Sequence, residues 1–257
     1  MAIHSTAVVD PKAELDSSVT VGPYAVIEAG VHIDAGTTIS PHAVISGPTF
    51  IGKNNVIGSF STIGGAPQDT SYHGEATELH IGDNNQIREY ASIHRGTPSG
   101  NGKTVIGNNN LLMAYIHIAH DCILGDHIIL ANVATLAGHV QVGDRASISG
   151  LVGVHQFCRI GTLSYVGGIS GIGFDVPPYT IIAGTRNRTR ISGINKIGLR
   201  RNGFSRETIA KLTEAFKIIF RDQTLLLKDA LRIAREEVPD CPEVETLISF
   251  FENSKRG

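Results

Sequence analysis

The 257-residue sequence has no tryptophan, three cysteines, two methionines, 6% aromatic residues and a net charge of only −2. It also lacks any apolar run of the roughly eighteen residues that a membrane-spanning helix needs. Cys122, Cys158 and Cys241 are too few and too scattered for a disulfide framework, and the near-neutral charge argues against a general nucleic-acid binder. The opening Met1-Ala-Ile-His-Ser-Thr enters directly into a repeat and is not a basic-then-apolar leader. A soluble, cytoplasmic protein without a transmembrane segment is therefore expected. The shortage of rings and the 29 glycines suit a thin interior.

What is abundant is a period of six. From Ile106 an aliphatic residue recurs at Leu112, Ile118, Leu124, Leu130, Leu136, Val142, Ile148, Val154, Ile160, Val166 and Ile172. With 41% of the chain apolar, twelve hits in register arise by chance with a probability of about 2 × 10⁻⁵, so the repeat is real. Four residues after each aliphatic stands a small or β-branched partner, among them Cys122, Ala134, Ala146 and Cys158. Helices repeat at about 3.6 and strands at 2. A period of six with two inward positions reads instead as a triangular solenoid of three hexads, eighteen residues per coil, with coils stacked about 4.8 Å apart. Cys122 and Cys158 then become small core side chains.

The same register runs from Ile3 to Ile63, returns for Ile81, Ile87 and Ile93, and breaks at 64–80 and 97–104, where loops leave the coil. The β-helix is expected over 1–185. A basic linker with Arg186, Arg188 and Arg190 follows, and a helical domain completes 186–257. Ser205 caps a first helix running to about Arg221, Thr224 a second to about Glu237, and Pro242 opens a third.

Assigning hexads to sides puts Ile63, Ile93, Ile118, Leu136 and Val154 on one side. The neighbouring His94, His120, His139 and His155 then form a row on consecutive coils, with His117 at the corner before Ile118, beneath both loops. An outward polar residue on a solenoid is ordinarily just solvated, but several histidines on one side point to a site. A neutral imidazole is suited to general-base work. Asp121 follows His120, and a corner there lets the carboxylate orient the ring. Gly138 lies one coil above His120, where its amide could face an oxyanion. Base and oxyanion donor together describe acyl transfer. A second chemistry is zinc held by His117-x-x-His120 with a third histidine.

His117-Ile-Ala-His-Asp-Cys122, Ile93-His-Arg-Gly-Thr97, Leu136-Ala-Gly-His-Val140, Val154-His-Gln-Phe-Cys158, Asp175-Val-Pro-Pro-Tyr179 and Arg201-Asn-Gly-Phe-Ser205 carry a resemblance to the UDP-N-acetylglucosamine acyltransferases, which open lipid A biosynthesis. It covers nearly the whole chain. The resemblance implies a left-handed parallel β-helix, an exception to the usual crossover hand, in a homotrimer with active sites between subunits. It implies that His120 is the general base toward the sugar 3-hydroxyl, supported by Asp121, with Gly138 as oxyanion donor. Acyl carrier protein supplies a 3-hydroxyacyl thioester, and no cofactor is implied. Gln68 and Asp69 match sugar contacts, and His117 and His139 line the cleft with His94. His155 and Gln156 match residues near the nucleotide or pantetheine, Gly168 the chain-length stop, and Asn195 and Arg201 nucleotide contacts.

The chain departs from the family pattern in three places. Ser71 stands where a lysine is usual, Ile197 where a uridine-contacting glutamate is common, and Gly184-Thr-Arg-Asn-Arg-Thr-Arg190 replaces a shorter turn. Arg186, Arg188 or Arg190 is expected to restore the missing positive charge. The departures leave the acceptor open, with an amino sugar giving an amide as the alternative; a trimeric zinc hydratase, from the His117-x-x-His120 spacing, and a non-catalytic scaffold are the other readings.

Overall fold

A computed structural model describes residues 2–184, 188–221, 224–254 and 256. Short strands of mostly two residues wind into three parallel sheets, one per side of a triangular prism. Side one runs from Ala2–Ile3, side two from Val8–Val9 and side three from Glu14–Leu15, and each gains one strand per coil. Register is direct: Ile93 pairs with Ile118, Ile118 with Leu136, and Leu136 with Val154. The fold is the expected left-handed β-helix followed by helices.

Hexad periodicity produces this shape because both inward positions are filled. Ile118, Leu136, Cys122, Ala134 and Cys158 are all fully buried, and each large aliphatic so buried contributes roughly 1.5–3 kcal/mol. Inward asparagines bond along the stack. Asn55, Asn85 and Asn110 accept from the next coil's backbone N–H at 2.7–2.9 Å. Corners are turned by residues in the left-handed region, including Tyr24, His42, Phe60, Tyr90, Tyr115, Val133, Leu151 and Ile169 between sides one and two. Such a backbone costs about 1–2 kcal/mol per residue without glycine. Ring stacking offsets part of it, with centroids 4.6–5.2 Å apart from Tyr24 to Tyr115.

Both register breaks leave at one corner, between sides two and three. The first loop joins Thr62–Gly65 to Glu78–Ile81, the second Ser92–His94 to Lys103–Ile106. At the C-terminal end, Arg190–Ile194 lies inside the stretch read as linker, yet it is a strand antiparallel to Thr180–Ala183. Ile194 is buried in it and Ile191 packs on the core. Arg186 lies outside the described residues.

Helix α1 (Lys196–Arg201) is an element that the apolar spacing did not show; α2 (Arg206–Arg221) and α4 (Pro242–Glu252) match expectation. Ser205 Oγ accepts from Thr208 N–H at 3.0 Å, and Pro242 occupies the first turn of α4. Helix α3 (Leu227–Glu237) begins after Leu226, not at Thr224. The helices pack on the last coils through Leu163 and Tyr179.

Candidate active site

The corner between sides two and three turns through His120-Asp121, then Gly138-His139 one coil on, then Gln156-Phe157. Asp121, His139 and Phe157 each have φ near +60°. Because a coil is eighteen residues, His139 stands over Asp121, not over His120, and His155 continues the column of Ala119 and Ala137. The four-ring row expected from sequence is thus broken, and among the described residues His155 joins neither of the two ring pairs that form. His120 and His139 meet edge to face at 5.1 Å, and His94 meets His117 likewise at 4.9 Å. His117 is not at a corner; it lies within the strand His117–Ile118, where Nδ1 is 3.2 Å from Ser92 Oγ.

His120 Nδ1 lies 2.8 Å from Asp121 Oδ2. The left-handed φ of Asp121 swings its carboxylate back toward the preceding ring, which an extended strand would not allow. The second loop then wraps that carboxylate. Thr97 donates from Oγ1 at 2.6 Å and from N at 3.1 Å, and Asn101 N–H donates at 2.9 Å. A Cβ on Gly100 would sit 2.3 Å from Asp121 Cγ, so that position admits only glycine. Burial alone would push the Asp121 carboxyl up, but hydrogen bonds from Thr97, His120 and Asn101 hold it net below its ordinary value. With Asp121 ionised, His120 carries its proton on Nδ1 and turns the Nε2 lone pair outward.

Gly138 lies against that ring. A Cβ there would come within 2.6 Å of His120 Cε1 and 2.8 Å of Nε2. Its N–H donates to no acceptor among the described residues. His139 stacks on Phe157 at 4.5 Å, with Nε2 4.0 Å from Asp121. Burial, reinforced by His120, lowers the His117 and His139 imidazoles, although Asp121 opposes the effect at His139. His94 is buried more deeply and is lowered to about 4, first by burial and then by His117, His120 and Arg95. These rings are neutral near pH 7, which keeps them from competing with the His120–Asp121 pair as cations.

On the first loop, Asp69 Oδ1 accepts from both Ser71 N–H and Ser71 Oγ–H at 2.8 Å. These bonds lower the Asp69 carboxyl. Gln68 is exposed on that loop, and His155 and Gln156 are exposed at the rim. Gly168 lies at the other edge of side two, at the corner with side one. Between the two corners the outward positions run His117, Thr135, Gly153, Gly171, and a cleft of about 860 Å³ lies over Gly153, His155 and Gly171.

Two candidates sit apart. Asn195 caps α1, accepting from Gly198 N–H at 3.0 Å and donating to Leu163 O at 2.9 Å, so its amide is committed to structure. Arg201 is exposed in α1, and neither residue lines the cleft at Asp121 and His139. Sequence reasoning missed Thr97, Gly100 and Asn101 as the supports of Asp121. They fall in an off-register loop, and only the Gly-x-Gly at Gly100 and Gly102 hinted at tight geometry.

The zinc reading does not match the geometry. The donor atoms that converge within 4.8 Å belong to His120, Asp121 and His139, not to His117 and His120. Both oxygens of Asp121 are already engaged by N–H and O–H donors.

The comparisons with known proteins agree with the site. Residues 103–138 match the bacterial transferase hexapeptide family, and 175–257 match the second domain of UDP-N-acetylglucosamine O-acyltransferase. An acyl-[acyl-carrier-protein]–UDP-N-acetylglucosamine O-acyltransferase from Thermodesulfovibrio yellowstonii is 52% identical, covering 99% of this chain and 98% of the relative. The crystal structure of a UDP-N-acetylglucosamine O-acyltransferase from Moraxella catarrhalis superposes with a TM-score of 0.96 at 46% identity, over 100% of this chain and 99% of that one. The Arabidopsis UDP-N-acetylglucosamine acyltransferase gives 0.86 at 36% identity, over 99% of each chain. None of these relatives supports the amide-forming, hydratase or scaffold alternatives. A prism whose corner presents a carboxylate-held histidine, in a chain similar to these proteins from end to end, belongs to the UDP-N-acetylglucosamine O-acyltransferase family.

Proposed function

We propose that the protein transfers a 3-hydroxyacyl chain from acyl carrier protein to the 3-hydroxyl of UDP-N-acetylglucosamine, the first step of lipid A biosynthesis. The observation that carries this reading is the His120–Asp121 pair, at 2.8 Å, within a chain of that family. His120 Nε2 takes the proton of the sugar hydroxyl as its oxygen attacks the thioester carbonyl. The tetrahedral oxyanion accepts from the Gly138 N–H, and collapse expels the carrier thiolate, which takes the proton back from His120. Asp121 holds the imidazolium while it exists. The thioester is already activated, so no cofactor is called on.

The apolar space over Gly153 and Gly171 suits an acyl chain, with Gly168 at its far corner. A Cβ on Gly153 would meet nothing within 4 Å, so packing alone does not require glycine there. Gln68 and Asp69 are assigned to the sugar, and His94, His117 and His139 to the cleft wall. His155 and Gln156 are assigned to the rim near the nucleotide or pantetheine.

A homotrimer completes the reading. Exposed Tyr115, Val133, Leu151 and Ile169 form an apolar edge along side two, and Arg201, which lines no cleft at His139 in its own chain, would serve a neighbour. No helix among the described residues is long and apolar enough to cross a membrane, in keeping with a cytoplasmic enzyme.

The test is His120→Ala. Transfer should fall about 10²–10⁴-fold, while the variant keeps the mass of three 27.4 kDa chains. Undiminished transfer would remove His120 as the base, and a wild type inactive toward this donor and acceptor would remove the reaction.

A further inference from the structure

The cleft of about 550 Å³ bounded by Asp121, His139 and Phe157 is walled on its far side by the last residues of the chain, Asn253 and Arg256. Two bonds to one aspartate bring the tail there. Ser254 Oγ donates to Asp175 Oδ2 at 2.8 Å, and Asp175 N–H donates to Arg256 O at 3.1 Å. The tail is thus pinned to the final coil after α4 ends.

This anchorage delivers the Arg256 guanidinium to the rim of the catalytic corner. Its Nη1 lies 3.1 Å from His155 Nδ1, and Cζ lies 5.8 Å from the centre of the Phe157 ring. Arg159, which lines the same cleft, is already committed, with Nε 3.0 Å from Asp175 Oδ2 and Nη2 2.8 Å from Phe250 O. Arg256 has no carboxylate within ion-pair distance among the described residues. A half-buried guanidinium with no carboxylate partner among the described residues therefore faces the cleft that holds Asp121.

We propose that Arg256 is a phosphate-binding residue, an anion subsite that the C-terminal tail supplies to the acyl-transfer cleft. The fork of a guanidinium matches two oxygens of a phosphate, and the edge of His155 and the face of Phe157 hold the fork in place. Both substrates of the proposed reaction carry phosphate, one as the nucleotide diphosphate and the other in the phosphopantetheine arm of the carrier. Ser71, which stands where a lysine is usual, offers no cation to either and spends its hydroxyl on Asp69. Arg188 and Arg190, expected from sequence to restore that charge, are exposed and line no part of this cleft. The owner of the phosphate rests on the acyl-transfer reading; the subsite itself rests on geometry.

The experiment uses the full chain with Arg256→Gln and Arg256→Lys. Both variants retain the bond from Asp175 N–H to the carbonyl of residue 256, since it is backbone. Binding of UDP and of a 3-hydroxyacyl phosphopantetheine free of carrier protein is measured by calorimetry, alongside KM for each complete substrate. Arg256→Gln should weaken one probe by about tenfold and raise the matching KM equally with kcat within about twofold, and Arg256→Lys should fall between. Loss of UDP binding assigns the subsite to the nucleotide, and loss of phosphopantetheine binding assigns it to the donor. Both probes and both KM values within about twofold of wild type in folded Arg256→Gln would overturn the proposal. An inactive wild type whose probe binding still depends on Arg256 would refute the transfer reading and leave the subsite standing.

Discussion

His42 and His139 occupy the same kind of place. Each is the second residue of a corner, with φ of 60° and 62°, and each ring is stacked. His42 lies between Tyr24 and Phe60, at 5.1 and 4.8 Å, and His139 lies on Phe157 at 4.5 Å. Their surroundings differ: His139 has a carboxylate at 4.0 Å and a second imidazole at 5.1 Å, whereas His42 has aromatic neighbours on both faces. A histidine at a coil corner is thus filler or chemistry according to what the inserted loops bring to it. The corner between sides one and two carries no insertion and became a ladder of rings. The corner between sides two and three carries two, and one of them supplies the donors that keep Asp121 ionised.

The largest effect separating the corners is the loss of His120, set out above. Gly138→Ala is the next. Its Cβ would fall 2.6 Å from His120 Cε1, so the ring must move while the amide donor stays. A displacement near 1 Å costs about 10²-fold in rate. We expect kcat to fall by that order with KM nearly unchanged, checked by steady-state kinetics on folded protein. Gly153→Ala serves as the control on side two, where a Cβ meets nothing within 4 Å, and its rate with a short acyl donor should stay within about twofold.

Thr97→Val sharpens the comparison at the loop. It removes the 2.6 Å bond to Asp121 Oδ2, leaving burial, which pushes the carboxyl up, less opposed. A protonated Asp121 no longer stabilises the imidazolium that forms at His120, so the acid limb of the pH–rate profile should move to higher pH. Turnover near pH 7 should fall about tenfold, the scale of one hydrogen bond to a charged group. Stability follows the same sign. The depressed carboxyl stabilises the wild type above its unfolded value, and that contribution disappears as pH falls through the folded one. In Thr97→Val that contribution should be smaller and its loss complete at higher pH. An acid limb that stays in place would show that Thr97 does not set the charge of Asp121.

Much of this was legible because the fold is periodic. Counting by six gave the prism, and counting by eighteen put Gly138 over His120 and put the hexads of His94, His120, His139 and His155 on one side. The same counting overstated the row, since His139 is nineteen residues from His120 and so stands over Asp121. Thr97, Gly100 and Asn101 were not legible, because an insertion obeys no period and its contacts depend on how it folds back. Helix α1 escaped because its six residues carry a single buried side chain, Leu199, too few for an apolar stripe. Arg256 was invisible for a related reason: it reaches His155 across 101 residues, a distance that no local pattern encodes.

The smallest expected effect is the sharpest test of the contrast between the corners, and it takes one substitution at two places. Phenylalanine already adopts this backbone at Phe60, with φ 59°, so His42→Phe keeps the ladder and removes no partner. Stability should stay within about 0.5 kcal/mol of wild type, and kcat and KM should not change. His139→Phe retains the stack on Phe157 but removes the polar edge beside Asp121, and should lower kcat/KM by about tenfold. Equal losses in the two variants would mean that a ring's place in the coil, and not what the loops bring beside it, decides whether it contributes to transfer. A silent His42→Phe beside an impaired His139→Phe would confine the chemistry to the corner that the insertions built.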